Sequence, residues 1–277
     1  MRATANTPVA LVTGASSGMG KGFAKALLAE GMIVYAAARR VEQMADLQAL
    51  GAIVLKMDIA CDADIQALVQ RIERDHDAVD LLINNAGFGL YGAMEDTSLD
   101  DARYQFEVNL FGMARLTQLL LPAMRQGRKG RILNITSMGG KIYTPLGSWY
   151  HATKHAVEGW SDCLRLELAP FGIDVVIIEP GVIATEFGEV MLAPLLERSG
   201  SGPYRVMTKA LAAATEASYR QEVASPPQVI TDLMLRAVRA RRPGTRYAAG
   251  KYAKSMMFIR KWFGDRIFDK IMLSTIK

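Results

Sequence analysis

Cysteine is close to missing from this chain of 277 residues: Cys61 and Cys163 are the whole complement, far apart and without a paired metal-ligand spacing. That argues against a disulfide-stapled scaffold and against a cysteine zinc site; the expectation is reduced thiols in a cytoplasmic protein, with no bound metal. Histidine is as scarce, with three residues. Met1 to Pro8 holds no apolar stretch of the kind a secretory leader requires. Internal repeats, low-complexity linkers and an aromatic-basic pattern that would read as a nucleic-acid module are lacking as well. What remains is a chain with 50% hydrophobic residues, long enough to bury a large core, which reads as one domain over residues 1–277.

Short apolar runs around residues 8–13, 32–37, 52–57, 79–84, 131–136, 174–178 and 245–248 alternate with helical periods. This alternation predicts a doubly wound α/β fold, in which ligands gather at the carboxyl ends of the strands. The first run, Pro8-Val9-Ala10-Leu11-Val12, leads at once into a turn, Thr13-Gly14-Ala15-Ser16-Ser17-Gly18-Met19-Gly20. A helical pattern with Phe23, Leu27 and Leu28 follows and stops at Gly31. Strand, glycine turn and helix in that order suit a phosphate group. Gly14 allows the tight turn, Gly18 lets the backbone approach a pyrophosphate, Gly20 allows close packing of helix on strand, and the helix N-terminus offers unpaired N–H donors.

The second informative cluster is Tyr150-His151-Ala152-Thr153-Lys154 with Ser137 upstream. Moving a hydride to a ketone leaves an alkoxide that needs a proton, and a phenol with an ordinary pKa of about 10 needs a nearby cation to serve as acid and base. On a helix, positions i and i+4 share a face, so Lys154 is expected beside Tyr150, lowering its pKa. Ser137 closes the apolar run Arg131-Ile132-Leu133-Asn134-Ile135-Thr136 and is expected to hydrogen-bond the substrate oxygen from a strand end. A second copy of the spacing, Tyr247 to Lys251, follows Pro243-Gly244 and contains Gly250. It reads as strand or loop, where i and i+4 are about 13 Å apart. His151 and His155 fall off the Tyr150–Lys154 face and read as structural.

With these residues in place, the chain resembles the short-chain dehydrogenase/reductase family, the single-domain kind with a Thr-Gly-x-x-x-Gly-x-Gly turn, over roughly two thirds of its length. The family's other markers follow in order: Asp58, Asn84-Asn85-Ala86-Gly87, Asn109, and Pro180-Gly181. The resemblance implies a Rossmann domain with a seven-stranded parallel sheet, helices on both faces and a C-terminal helical lid or tail. It implies a catalytic set of Asn109, Ser137, Tyr150 and Lys154, with Tyr150 as acid-base and Asn109 distorting its helix to hold a proton relay. For the cofactor it implies Gly14, Ser16, Ser17, Gly18, Met19 and Gly20 in the turn, and Asp58 and Ile59 at the adenine. Asn85, Ala86 and Gly87 would lie at the ribose, with Tyr150 and Lys154 beside them, and Pro180, Gly181, Val182, Ile183 and Thr185 at the carboxamide. Within the same resemblance, the layout is most like the steroid and retinol dehydrogenases.

Charge at the end of the second apolar run bears on which cofactor is bound. An NAD enzyme generally places a carboxylate there to accept the ribose hydroxyls, whereas this chain has Ala38, Arg39 and Arg40, whose guanidinium forks suit a 2′-phosphate. NADP(H) is the expectation over NAD(H), although Ser17 stands where the family's other NADP device, a basic residue before the second glycine, would be. Residues 187–230 hold apolar clusters such as Val190-Met191-Leu192 and Leu195-Leu196, broken by Gly and Pro, and read as a substrate lid in which Met191 and Leu195 serve either as lid or as core.

Residues 251–277 carry seven Lys or Arg against Asp265 and Asp269, equal to the whole net charge of +5. Ile259, Phe263, Ile267 and Ile271 recur at intervals of four, which predicts an amphipathic helix with a basic face. A cover over the substrate site or a subunit interface is the favoured reading of this segment, ahead of a membrane-surface contact and a solvated basic face. The expected function is a homo-oligomeric NADP(H)-dependent oxidoreductase interconverting a bulky hydrophobic secondary alcohol and its ketone, or an alcohol and aldehyde. The alternatives are a 3-oxoacyl-type or small-ketone reductase and a non-catalytic NADP sensor.

Overall fold

Side-chain alternation along the first strand, β1 (Val9–Thr13), sorts the molecule into layers. Val9 and Leu11 point into one apolar cluster and Ala10 and Val12 into another, as the period of two requires. A strand buried on both faces reads as an unbroken apolar run, which is why the run near residue 8 is legible but its two faces are not. The computed structural model describes residues 7–220 and 222–276; Gln221 of the expected lid and Lys277 of the basic tail lie outside the described residues.

Six further strands complete the sheet: β2 (Ile33–Ala38), β3 (Ile53–Lys56), β4 (Leu81–Asn84), β5 (Gly130–Ile135), β6 (Ile173–Pro180) and β7 (Arg246–Ala249). All pairings are parallel, in the order β3-β2-β1-β4-β5-β6-β7. This is the doubly wound seven-stranded sheet expected, with every strand within about two residues of its apolar run.

One face is covered by α1 (Gly18–Ala29), α2 (Ala45–Ala49) and α9 (Gln228–Arg239), whose Phe23, Leu27, Leu47, Ile230 and Met234 join Ala10 and Val12. The other is covered by α3 (Asp62–Asp75), α5 (Gly112–Gly127) and α6 (Ser148–Leu168), through Ile65, Leu68, Leu116, Leu120 and Leu164. Between β4 and α5 runs α4 (Leu99–Phe106), followed by a π-helical turn over Glu107–Phe111. Gly112 follows that turn because a Cβ there would lie 1.9 Å from the Ile59 carbonyl oxygen.

The segment after β6 is not an open loop but two helices, α7 (Phe187–Ser199) and α8 (Arg205–Tyr219), with Pro194 inside the first. Tyr247 lies in β7, so the second Tyr-x-x-x-Lys spacing is a strand as expected. The tail is helical, α10 (Ala253–Ser274), and its buried face is the predicted one only in part: Ile259 and Ile271 pack inward, but Phe263 and Ile267 do not. Gly264, at φ +73°, breaks the helical rotation. Phe268 and Met272 therefore turn inward with Met256 onto Ile142, while Phe263 and Ile267 remain exposed. Among the described residues no helix is long and apolar enough to cross a membrane.

Candidate active site

The chain runs β1, β2, β3 in one direction across the sheet and then β4 to β7 in the other, so the carboxyl ends of β1 and β4 flank a crevice. Thr13, the last residue of β1, knits its two sides. Its hydroxyl accepts the Asn85 and Ala86 backbone N–H groups (3.0 and 3.1 Å), while the Asn85 side-chain amide donates to the Thr13 and Gly14 carbonyls (3.0 and 3.3 Å). Gly14 needs its lack of a side chain twice over: φ is +66°, and a Cβ would lie 2.9 Å from the Ala86 Cα. At Gly20 the constraint is packing alone, since a Cβ would meet the Gly14 carbonyl oxygen at 2.3 Å.

Ser17 begins α1 without a side-chain cap, and no carboxylate occupies the first turn, so the N–H groups at that end are free for an anion. They border a groove of about 340 Å³ lined by Gly14, Ser16, Ser17, Gly18, Met19, Arg39, Arg40, Asp58, Ile59, Asn85, Ala86 and Gly87. Those residues fit a dinucleotide: donors at the helix end, small residues at the closest approach, and cations at the outer end. Gly20 does not face the groove; its work is behind the turn. Asp58 does, although one carboxylate oxygen already accepts the Ala60 N–H at 3.0 Å as in an Asx turn.

Arg39 donates to the Tyr104 hydroxyl at 3.1 Å. Arg40 folds back onto the glycine turn, donating to the Ser17 hydroxyl at 3.1 Å, with the Glu186 carboxylate 3.5 Å from its guanidinium. A guanidinium from the end of β2 thus stands at Ser17, where the sequence itself places no cation.

A second, smaller cavity of about 90 Å³ adjoins the groove and is lined by Ser137, Tyr150, Lys154, Pro180, Gly181, Ile183, Thr185, Phe187 and Tyr219. Val182 is not among them: its N–H donates to the Lys251 carbonyl and its carbonyl accepts from Ser225. Ser137 leaves β5 in extended conformation, accepts the Gly139 N–H at 3.0 Å and lines the same cavity as the Tyr150 phenol. Burial pushes the Tyr150 phenol up to about 12, with the Ser137 hydroxyl pulling the other way. Lys154 donates to the Ile135 carbonyl at 3.1 Å. Burial brings its ammonium down to about 8, and the Glu158 carboxylate opposes that shift. In this conformation burial, rather than the Lys154 charge, sets the phenol.

Asn109 lies in the π-helical turn, the distortion the family resemblance implies. Its side chain is held on both sides: Oδ1 accepts the Phe88 N–H (3.0 Å), and Nδ2 donates to the Phe88 carbonyl (3.0 Å) and the Thr153 hydroxyl (3.1 Å). Gly87 marks where Asn109 and Lys154 meet, since a Cβ there would lie 3.1 Å from Asn109 Oδ1 and 3.8 Å from Lys154 Nζ. His151 is buried and structural: Nε2 accepts the Thr144 N–H, so Nδ1 carries the proton and donates to the Gly139 carbonyl at 2.9 Å.

Sequence reasoning missed the walls of the smaller cavity. Phe187 packs on the Tyr150 ring with centroids 5.6 Å apart and stacks on Tyr219, and Tyr91 covers the other side of Tyr150 at 5.5 Å. Met191 and Leu195 are fully buried with them, so the expected lid residues are also core residues, in a cluster built around Tyr150. Glu158, buried beneath Lys154, was missed too; it accepts from Thr136 (2.7 Å) and pairs with Lys141 (2.8 Å) and Arg246 (3.1 Å).

Groove and cavity, meeting at the reversal point of a doubly wound sheet, define a Rossmann-type oxidoreductase. The chain belongs to the short chain dehydrogenase family, whose profile matches residues 8–193. A 3-ketodihydrosphingosine reductase of Bacteroides thetaiotaomicron is 38% identical over 180 residues, covering 65% of this chain and 65% of that protein, just under two thirds of the relative's own length. Among solved structures, a short chain dehydrogenase/reductase from Burkholderia phymatum in complex with NAD superposes with TM-score 0.80 at 26% identity, over 92% of this chain and 93% of the other. The closed form of a serine dehydrogenase complexed with NADP+ gives 0.76 at 26% identity, over 87% and 94%.

Proposed function

We propose that this protein is an NADP(H)-dependent oxidoreductase that interconverts a hydrophobic secondary alcohol and its ketone, or an alcohol and its aldehyde, with residues 1–277 acting as one domain. The observation that carries the reading is the meeting of Ser137, Tyr150 and Lys154 in one apolar-walled cavity beside the groove. The bound nicotinamide supplies or accepts the hydride. Ser137 orients the carbonyl oxygen, and Tyr150 gives its phenolic proton to the alkoxide as it forms. A phenol held up to about 12 is protonated at neutral pH, the state that reduction requires. Lys154, at about 8, keeps its charge there and stabilises the phenolate once the proton has left. Asn109, anchored between Phe88 and Thr153, keeps Lys154 in reach of a proton relay.

Arg39 and Arg40 at the outer end of the groove, with Ala38 in place of a carboxylate, support NADP(H) over NAD(H). The similarity to a 3-ketodihydrosphingosine reductase supports a bulky, lipid-like ketone. Against that stands the size of the cavity, about 90 Å³, when drug-sized ligands occupy roughly 300 Å³ or more. A bulky substrate therefore requires α7 and α8 to swing Phe187 and Tyr219 aside, and a small-ketone reductase is the reading this volume favours if they stay.

Turnover of long-chain, steroid and short ketones with NADPH and with NADH, in wild type and Tyr150→Phe, tests the proposal. The expected result is reduction preferring NADPH, with Tyr150→Phe losing about a hundredfold or more in kcat while still binding cofactor. A variant that keeps most of its activity overturns Tyr150 as proton donor. Tight NADPH binding without turnover of any ketone favours a sensor.

A further inference from the structure

Beyond that reading, and independently of it, α10 carries a surface that neither cavity uses. Its inner face is seated on the segment following Ser137: Phe268 meets Tyr143 edge-on at 5.2 Å, and Phe268 and Met272 pack on Ile142. Its outer face is apolar where solvent would be expected. Phe258 is 56% exposed, Trp262 66%, Phe263 54% and Ile267 46%. Phe258 lies 6.3 Å from both Trp262 and Phe263 between ring centroids, so these three rings form one patch rather than scattered surface residues.

The segment around that patch carries more cations than carboxylates. Asp265 is paired with Arg260 and Asp269 accepts the Tyr143 hydroxyl. Both carboxylates of the segment are thereby engaged. Lys254, Lys261, Arg266 and Lys270 are exposed and make no ion pair among the described residues, and the Lys261 ammonium lies over the Trp262 ring at 5.2 Å. Exposed rings of Trp and Phe bordered by unpaired cations suit an interface that is apolar below and anionic at its rim. A second copy of this chain suits it poorly: a two-fold contact through the patch would set these cations against their own equivalents, in a chain of net charge +5.

We propose that the outer face of α10 docks on the surface of an anionic lipid bilayer, with Phe258, Trp262 and Phe263 at the acyl boundary and Lys254, Lys261, Arg266 and Lys270 at the phosphates. Docking of this kind lays α10 along the bilayer surface; among the described residues no helix is long and apolar enough to cross it. Because α10 rests on Met138–Tyr143, docking ties the bilayer to the strand end that carries Ser137.

Co-sedimentation of the full chain with phosphatidylcholine vesicles, with and without phosphatidylserine, tests this. Partitioning onto the anionic vesicles is expected to exceed that onto phosphatidylcholine alone by about tenfold or more, and to fall with added salt. Phe258→Ser with Trp262→Ser is expected to remove at least about tenfold of that binding, while leaving the thermal midpoint unchanged because both rings are exposed. Lys261→Glu with Lys270→Glu is expected to abolish the preference for phosphatidylserine. Binding that ignores lipid charge, or that survives both double variants, overturns the proposal. So does a concentration-dependent oligomer broken by Trp262→Ser without vesicle binding, which would make the patch a subunit interface.

Discussion

Arg40 shows how one side chain completes a site that its own motif leaves short of charge. It reaches back from the end of β2 to the Ser17 hydroxyl, with the Glu186 carboxylate 3.5 Å from its guanidinium. A charge-assisted hydrogen bond contributes about 1.5–3 kcal/mol. Arg40→Ala should therefore raise the KM for NADPH by about ten- to a hundredfold and leave that for NADH nearly unchanged, as steady-state kinetics with the two coenzymes will show. An equal loss with both would make Arg40 an ordinary surface charge. Residues whose roles depend on sequence neighbours were legible at this scale: Gly14, Gly18 and Gly20 on one turn, Tyr150 and Lys154 on one helix turn. Phe187 and Tyr219 were not, because each reaches its partner only after distant elements pack; Glu158 stands four residues after Lys154 on α6, but its burial and its Arg246 pair depend on β7.

At the scale of elements, the seven strands were readable because runs buried on both faces are apolar throughout, and a turn or helix pattern separates each from the next. The lid was readable only as apolar clusters, since Pro194 and Gly200 interrupt the period of what are two helices, α7 and α8. In α10 the helix was legible and the buried face only at its two ends, Ile259 and Ile271: the four-residue interval assumes an unbroken rotation, and Gly264 interrupts it between them. The α7–α8 pair sets the size of the smaller cavity through the stacked rings of Phe187 and Tyr219. Phe187→Ala should shift kcat/KM toward long-chain over short ketones by about tenfold or more, the effect of opening one hydrophobic subsite. Competition between the two substrate classes measures that ratio, and an unchanged ratio would mean that the wall lies elsewhere.

For the whole molecule, buried ionisable groups give stability a pH dependence with two opposing contributions. Burial brings His151 down to about 4 from 6.5, so the fold favours its neutral form. That stabilisation is complete above about 6.5 and is lost as pH falls toward 4, amounting to about 3 kcal/mol. Glu179, pushed up to about 7 by burial and by the Glu158 carboxylate, acts with the opposite sign, helping the fold as it gains a proton below 7. The informative measurement is the difference in urea stability between wild type and His151→Gln, which should shrink by about 3 kcal/mol from pH 7 to pH 4; a constant difference would remove His151 from the pH response.

The strand order also bears on how the chain is made. Growing from the N-terminus, β2 pairs with β1 and β3 with β2; β4 then takes the open side of β1, and β5, β6 and β7 each join the edge just left by their predecessor. No strand has to be threaded between two that are already paired. The N-terminal half can therefore close while the rest is still being synthesised, and Tyr150 enters a scaffold whose glycine turn is already in place.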